Sequence, residues 1–311
     1  MTETADVSRR EAWLIAARPH TLPVAAAPIL VAVGLAVRDG VFAPLPAFAA
    51  FVGAALIQVG TNFANDYYDA VQGADTEDRE GFTRVTAGGL IEPAEVKRAT
   101  YVTFAAAVLV GTYLVAVGGV PILVVGLVSV ASGLAYTGGP YPLGYHGLGD
   151  VFVFVFFGVV AVTGAYYVQA VTVLASGFPV WPPAGTVTVA SVAASLPVAA
   201  VATNVLVVNN VRDREEDATT GKRTLAVRFG YTFSRFQYAA LFALAYAVPP
   251  WFFARTGDPL VFLPYLSLPL ALSLTRTLCR RTDGDALNPA LSRTGQLLAL
   301  YAALFGLGLA L

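Results

Sequence analysis

The sequence predicts an all-α membrane protein of about nine transmembrane helices, each needing roughly 17–25 apolar residues. Three observations carry that expectation. Hydrophobic residues make up 57% of the chain and charged residues only 13%, where a soluble domain has about 25%. Mean hydropathy is +0.67. Long stretches carry no Asp, Glu, Lys or Arg at all, and the basic residues that punctuate them fall almost wholly on one side of the implied membrane.

The uncharged stretches give the elements in order. Residues 19–37 and 40–65 are each one span. Residues 99–149 are long enough for two, with the break at Gly118-Gly119, and residues 151–211 also hold two, divided near Phe178 to Pro183. Residues 236–254, 259–275 and 294–311 complete the set. No short segments of alternating hydrophobicity suggest a membrane β-barrel. The apolar character continues to the last residue, so the N-terminus does not read as a cleavable leader. Residues 1–311 read as a single transmembrane domain.

With nine spans and the N-terminus inside, all but Arg38 and Arg255 of the 19 Lys and Arg residues fall on the cytoplasmic side. Only Lys97 and Lys222 are lysines, a bias expected of a GC-rich prokaryote. A formal net charge of −1 argues against a nucleic-acid partner, and Cys279, the one cysteine, allows no intrachain disulfide or thiolate metal site. His20 and His146 have no partners at metal-ligand spacing and are expected to be structural or solvated. The oligomeric state is not legible.

Charge returns abruptly at two places, and the topology puts both on one face. The second span leaves through "TNFANDYYDAVQGAD" and the sixth through "TNVLVVNNVRDREED". Each has a Thr-Asn pair followed by an Asn-x-x-x-Asp step, Asn65 to Asp69 and Asn209 to Asp213, a weak internal repeat. Helical spacing aligns Asn62, Asp66 and Asp69 on one face, and Asn210, Asp213 and Asp217 on another. Carboxylates so placed repel unless a cation lies between them. An all-oxygen ligand set suits Mg²⁺, which takes one or two carboxylates and completes its shell with water and phosphate oxygens. A bound diphosphate is therefore expected. The loops that follow are rich in glycine and basic residues, and Arg84, Lys222, Arg223 and Arg228 are candidates to hold the anion. Arg84 and Lys222 stand beside glycines that permit close backbone approach.

These motifs resemble those of the UbiA superfamily of intramembrane prenyltransferases. The similarity spans nearly the whole chain, through "ARPHTLPVAAAPILVAVG" (17–34), "QVGTNFANDYYDAVQGADT" (58–76), "RVTAGGLI" (84–91), "YTGGPYPLGYHGLGDVFVFVFFG" (136–158) and "NNVRDREEDATTGKRTLAVRFG" (209–230). Within the superfamily it is most similar to the 1,4-dihydroxy-2-naphthoate polyprenyltransferase branch. The resemblance implies helices bundled around a central cavity under a cytoplasmic cap, with the two motifs, 65–75 and 209–217, facing each other. It implies Mg²⁺ held by Asp66, Asp69, Asp75, Asp213 and Asp217. Many members carry an acid four residues after the second Asp of the first motif. Here that position is Gly73, and the acid comes at Asp75.

The implied reaction joins a polyprenyl diphosphate to a naphthoate acceptor, with loss of pyrophosphate and CO₂, in a membrane whose lipid already dissolves the prenyl tail. Asn62, Asn65, Arg84, Asn209, Asn210, Lys222 and Arg223 are expected on the diphosphate side. Tyr136, Tyr141, Tyr145 and Asp150 are expected near the acceptor, to orient or deprotonate its ring hydroxyl. The same tyrosines could instead form an interfacial belt, and Asp150 could be a helix N-terminal charge. Other acceptors remain open: 4-hydroxybenzoate, a chlorophyll or haem precursor, or a glycerol phosphate lipid. A cation-coupled transporter is the alternative of another class, although its carboxylates would more naturally lie mid-span at helix breaks.

Overall fold

The computed structural model describes residues 7–71, 85–136, 138 and 141–311. Every regular element in them is helical. Helix α1 (Arg9–Ala17) starts at a reciprocal cap between Ser8 and Glu11 and ends at Arg18. A short turn over Pro19–Thr21 leads into α2 (Leu22–Arg38) with a bend of 49°. There follow α3 (Pro44–Val71), α4 (Pro93–Ala135), α5 (Gly149–Leu174), α6 (Val189–Arg212), the short α7 (Arg214–Thr219), α8 (Leu225–Thr256), α9 (Pro259–Arg280) and α10 (Gly284–Ala310).

Among the described residues, seven helices are long and apolar enough to cross a bilayer, and eight if α1 and α2 count as one bent span. The expected nine is reached only by counting the two arms of α4 apart. That helix is 43 residues long, far more than one bilayer crossing requires. It breaks at Gly119, whose φ of 69° is open to glycine alone at low cost. The Val120 amide there donates to the Pro179 carbonyl at 2.9 Å. Beyond the break the arms fold back on each other. A Cβ on Gly133 would stand 3.3 Å from the Phe104 ring, and one on Gly60 of α3 would stand 3.2 Å from the same ring.

The main core is formed by α2, α5, α6, α8, α9 and α10, with Tyr238, Tyr301 and Phe305 among its largest enclosed side chains. Small residues bring these helices together. A Cβ on Gly34 of α2 would collide with the Gly306 backbone of α10, and one on Gly158 of α5 with Ala199 of α6. Such close contacts replace the hydrophobic drive that lipid removes. A second cluster, Ala12, Ala16, Phe63, Val85, Ile91 and Val96, packs α1 against α3 and the entry to α4. It fixes the acidic end of α3 relative to the loop that follows.

Candidate functional site at the ends of α3 and α6

Both acidic exits border one polar chamber of about 260 Å³, lined by Asn65 and Asp69 of α3, Asn209, Asn210 and Asp213 at the end of α6, and Asp217 of α7. The carboxylates are held by different means. Asp66 is wholly buried and does not line the chamber. It accepts from the backbone amides of Val85 (3.2 Å) and Thr86 (2.9 Å), with the Arg18 guanidinium 3.9 Å away. Asp66 thereby pins the start of the segment leading to α4. Asp69 accepts from the Tyr145 hydroxyl at 2.7 Å and lies 3.6 Å from the Lys222 ammonium.

On the second exit α6 stops at Arg212, and Asp213 sits at the joint with α7. The Arg212 guanidinium grips it through two bonds of 2.6 and 2.8 Å, and Asn209 adds a third at 3.2 Å. Arg212 is buried and also reaches Asn288 of α10 and the Asn209 side-chain oxygen. Such a fork is rigid and charge-assisted. Asp217 is buried at the chamber wall.

The remaining expected residues sort by position. Asn62 lines the chamber but spends its amide on the Ala17 carbonyl and the Thr21 hydroxyl, tying α3 to the α1–α2 bend. Its counterpart in the weak repeat, Asn204, donates to the Tyr238 carbonyl of α8 at 3.0 Å. The asparagine of each Thr-Asn pair therefore clamps a neighbouring element through its backbone. Lys222 lines the chamber and lies over the Tyr145 ring at 4.8 Å. Arg223 is exposed and off the chamber wall. Its amide donates to the Tyr145 carbonyl at 2.7 Å, and its carbonyl accepts from Arg228. Asp75, Arg84 and the side chain of His20 lie outside the described residues.

Asp150 begins α5 and is buried, accepting from Gln237 of α8 at 2.9 Å and, more weakly, from Asn210 at 3.5 Å. Tyr136 faces the chamber, its hydroxyl close against Gly149. Burial first, and then the carboxylates of Asp150, Asp69 and Asp217, push the Tyr136 phenol pKa up. It is held as a neutral hydroxyl, suited to donate a hydrogen bond and unsuited to act as a phenolate base. Tyr141 is exposed and stacks on His146 at 3.6 Å between ring centres, away from the chamber.

Three contributors escape the sequence reading: Arg18, Arg212 and Gln237. The two arginines were absorbed into the inside-positive charge, although Arg212 stands directly before Asp213. Arg18 carries a second signal in the structure, a left-handed φ of 51° immediately before Pro19. That conformation is costly for a side-chain-bearing residue and gathers at functional sites.

The donors at the chamber are all oxygen. Among the described residues, no three carboxylates or imidazoles cluster into a cage that would hold a metal alone. The set fits an ion such as Mg²⁺ that takes one or two carboxylates and relies on phosphate oxygens for the rest. Val24, Thr61, Tyr136 and Phe157 line both this chamber and an apolar one of about 650 Å³ between α2, α3, α4 and α5. The widened turns of α5 over Val153–Val160 serve both, with Val153 on the polar wall and Phe156 on the apolar wall.

The profile of the UbiA prenyltransferase family matches residues 25–310. The 1,4-dihydroxy-2-naphthoate octaprenyltransferase of Escherichia coli (strain K12) is 38% identical, over 99% of this chain and 98% of that one. Among solved structures, a UbiA homolog from Aeropyrum pernix K1 superposes with a TM-score of 0.67 at 14% identity, covering 93% of this chain and 96% of that one. A UbiA homolog from Archaeoglobus fulgidus, bound to DMAPP and Mg²⁺, superposes with a TM-score of 0.57 at 15% identity, over 94% and 98%. On the profile and the full-length likeness together, the chain belongs to the UbiA prenyltransferase family.

Proposed function

We propose that the chain transfers a polyprenyl group from a prenyl diphosphate to 1,4-dihydroxy-2-naphthoate, releasing pyrophosphate and CO₂ and giving demethylmenaquinone. The observation that carries this reading is the 38% identity, end to end, to the relative so named. The paired chambers support it, because a prenyl diphosphate is itself an anionic head on an apolar tail. The head fits the polar chamber and the tail the apolar one, so the scissile bond falls at the rim they share.

Asp69 on one exit and Asp213 and Asp217 on the other, with Asn65 and Asn209, would hold Mg²⁺ through one or two carboxylates to each ion, supplying positive charge to the departing diphosphate. Lys222 stands at the same wall and is placed to follow charge onto the leaving oxygens. Asp66 shapes the site indirectly, by fixing the segment that begins at Val85. Tyr136 orients the acceptor by donating from its neutral hydroxyl. Asp150, buried and anchored by Gln237 and Asn210, lines neither chamber and acts from behind, fixing the start of α5. The apolar walls keep water from the allylic cation. On this reading the acidic exits and the N-terminus face the cytoplasm of a prokaryotic cell membrane, an orientation that the distribution of basic residues supports.

The test is product formation by purified protein, read by mass spectrometry, with 1,4-dihydroxy-2-naphthoate and 4-hydroxybenzoate offered in parallel. Prenylation of the naphthoate is expected, abolished by EDTA and restored by Mg²⁺. A preference for the benzoate would move the chain to another branch, and full turnover in chelator would remove the metal.

A further inference from the structure

Glycines inside membrane helices usually serve close helix contact, as Gly34 and Gly306 do here. Gly111, Gly126 and Gly164 do not. None has a positive φ, and a Cβ on any of them would meet no heavy atom of the described residues within 4 Å. Each such glycine weakens a helix interior relative to alanine. Neither backbone conformation nor packing accounts for them. All three line the apolar chamber.

Their placement is concerted. Phe104 and Gly133 meet across the α4 hairpin, and that same register sets Gly111 opposite Gly126 on the two arms. Gly164 contributes a third wall from α5, roughly four turns along from its polar end. An independent observation points to a ligand at the mouth of the chamber they line. Thr61 is 8% exposed, and its Oγ1 has no hydrogen-bond partner among the described residues. It lies at the rim common to both chambers. Gln58 Oε1, on the polar side of that rim, is likewise unpartnered. Buried polar atoms left so call for a partner, and at a chamber wall a water or a bound group can supply it.

We propose that Gly111, Gly126 and Gly164 gauge the donor tail. By leaving out a side chain on three walls they admit a long prenyl chain through the apolar chamber, and bulk at these positions sets the longest tail accepted. This rests on the reading of the apolar chamber as the donor site.

The experiment measures binding of geranyl, farnesyl, geranylgeranyl and octaprenyl diphosphate in Mg²⁺ by thermal shift, alongside product length by mass spectrometry. The proteins are wild type, Gly111→Leu, Gly126→Leu, Gly164→Leu, the matching alanine variants, and Val102→Leu on the exposed outer face as control. Wild type and Val102→Leu should bind all four donors. The leucine variants should keep geranyl diphosphate within about twofold and lose tenfold or more for octaprenyl diphosphate, with alanine intermediate. Equal losses at every tail length, or none at the longest, would overturn the gauge while leaving the donor site standing. Wild-type protein indifferent to every prenyl diphosphate would overturn the donor site and the gauge together. Should one leucine variant fail to fold, its alanine counterpart and the other two positions still decide the matter.

Discussion

Gly34 of α2 and Gly306 of α10 bring backbones together, whereas Gly111 and Gly126 of α4 and Gly164 of α5 leave room. Gly34 and Gly306 lie where any side chain would strike the facing helix, while Gly111 and Gly126 face open space. Burial follows the same division. The apolar window of α6 is 72% buried and that of α10 is 56%, but that of α4 is only 17%. The closed side is a packed body that fixes the second acidic exit. The open side is a hairpin leaning on α3, which carries the first. The fold therefore keeps one wall rigid at the polar chamber while the other borders the apolar one, as the proposed donor site would require.

The largest effect is expected where the two sides meet. Asp213→Asn keeps the shape but gives up the charge that a metal and the Arg212 fork both need. A loss of about 4 kcal/mol of transition-state stabilisation slows turnover roughly a thousandfold. Helicity should stay near wild type, while the melting temperature falls because the buried Arg212 loses its charged partner. Turnover at wild-type rates in saturating Mg²⁺ would show that this carboxylate is no essential ligand.

Gly306→Leu against Gly111→Leu tests the comparison itself. Forcing bulk into the α2–α10 seam should cost about 3 kcal/mol or more of stability, whereas the same change in the hairpin should leave the melting temperature unchanged. Equal melting behaviour in detergent would erase the distinction. Asp66→Asn should act through structure. Weakening two buried bonds to a carboxylate costs about 1–3 kcal/mol, so its melting temperature should fall together with its activity. A fall in activity alone would return Asp66 to the metal. Glu215→Gln is the small end of the series. Glu215 is exposed, bonded to Arg214 and Tyr231, and its loss should change stability by less than about 0.5 kcal/mol and turnover by less than twofold.

Much of this was legible in the sequence because lipid enforces it. Uncharged stretches must be buried in hydrocarbon or protein, so the order of spans and the break at Gly118-Gly119 could be read directly. Helix ends could not. Helix α10 begins at Gly284 and α8 at Leu225, each about ten residues before its apolar stretch, because a helix continues past the bilayer wherever its cap allows. Asp283 and Thr224 supply those caps. At the site, spacing alone grouped the acids of each exit. It could not show that Asp66 turns to the amides of Val85 and Thr86, or that Tyr145 crosses to Asp69, because those bonds join segments far apart in the chain. Arg18 and Arg212 stayed hidden for a different reason: a statistical rule had already given their charges a use.

That Lys222 lies beside Asp69 and Arg212 grips Asp213 has a consequence for how a ligand enters. The chamber is already supplied with counterions drawn from the chain itself. On the proposed function, a metal–diphosphate pair would arrive as cation and anion at once, and each would find an internal ion to take over: the metal the carboxylates, the phosphates the displaced lysine and arginine. Entry is then an exchange of partners at nearly constant net charge. Affinity for the donor should accordingly respond far less to ionic strength than its multiple charges alone would suggest.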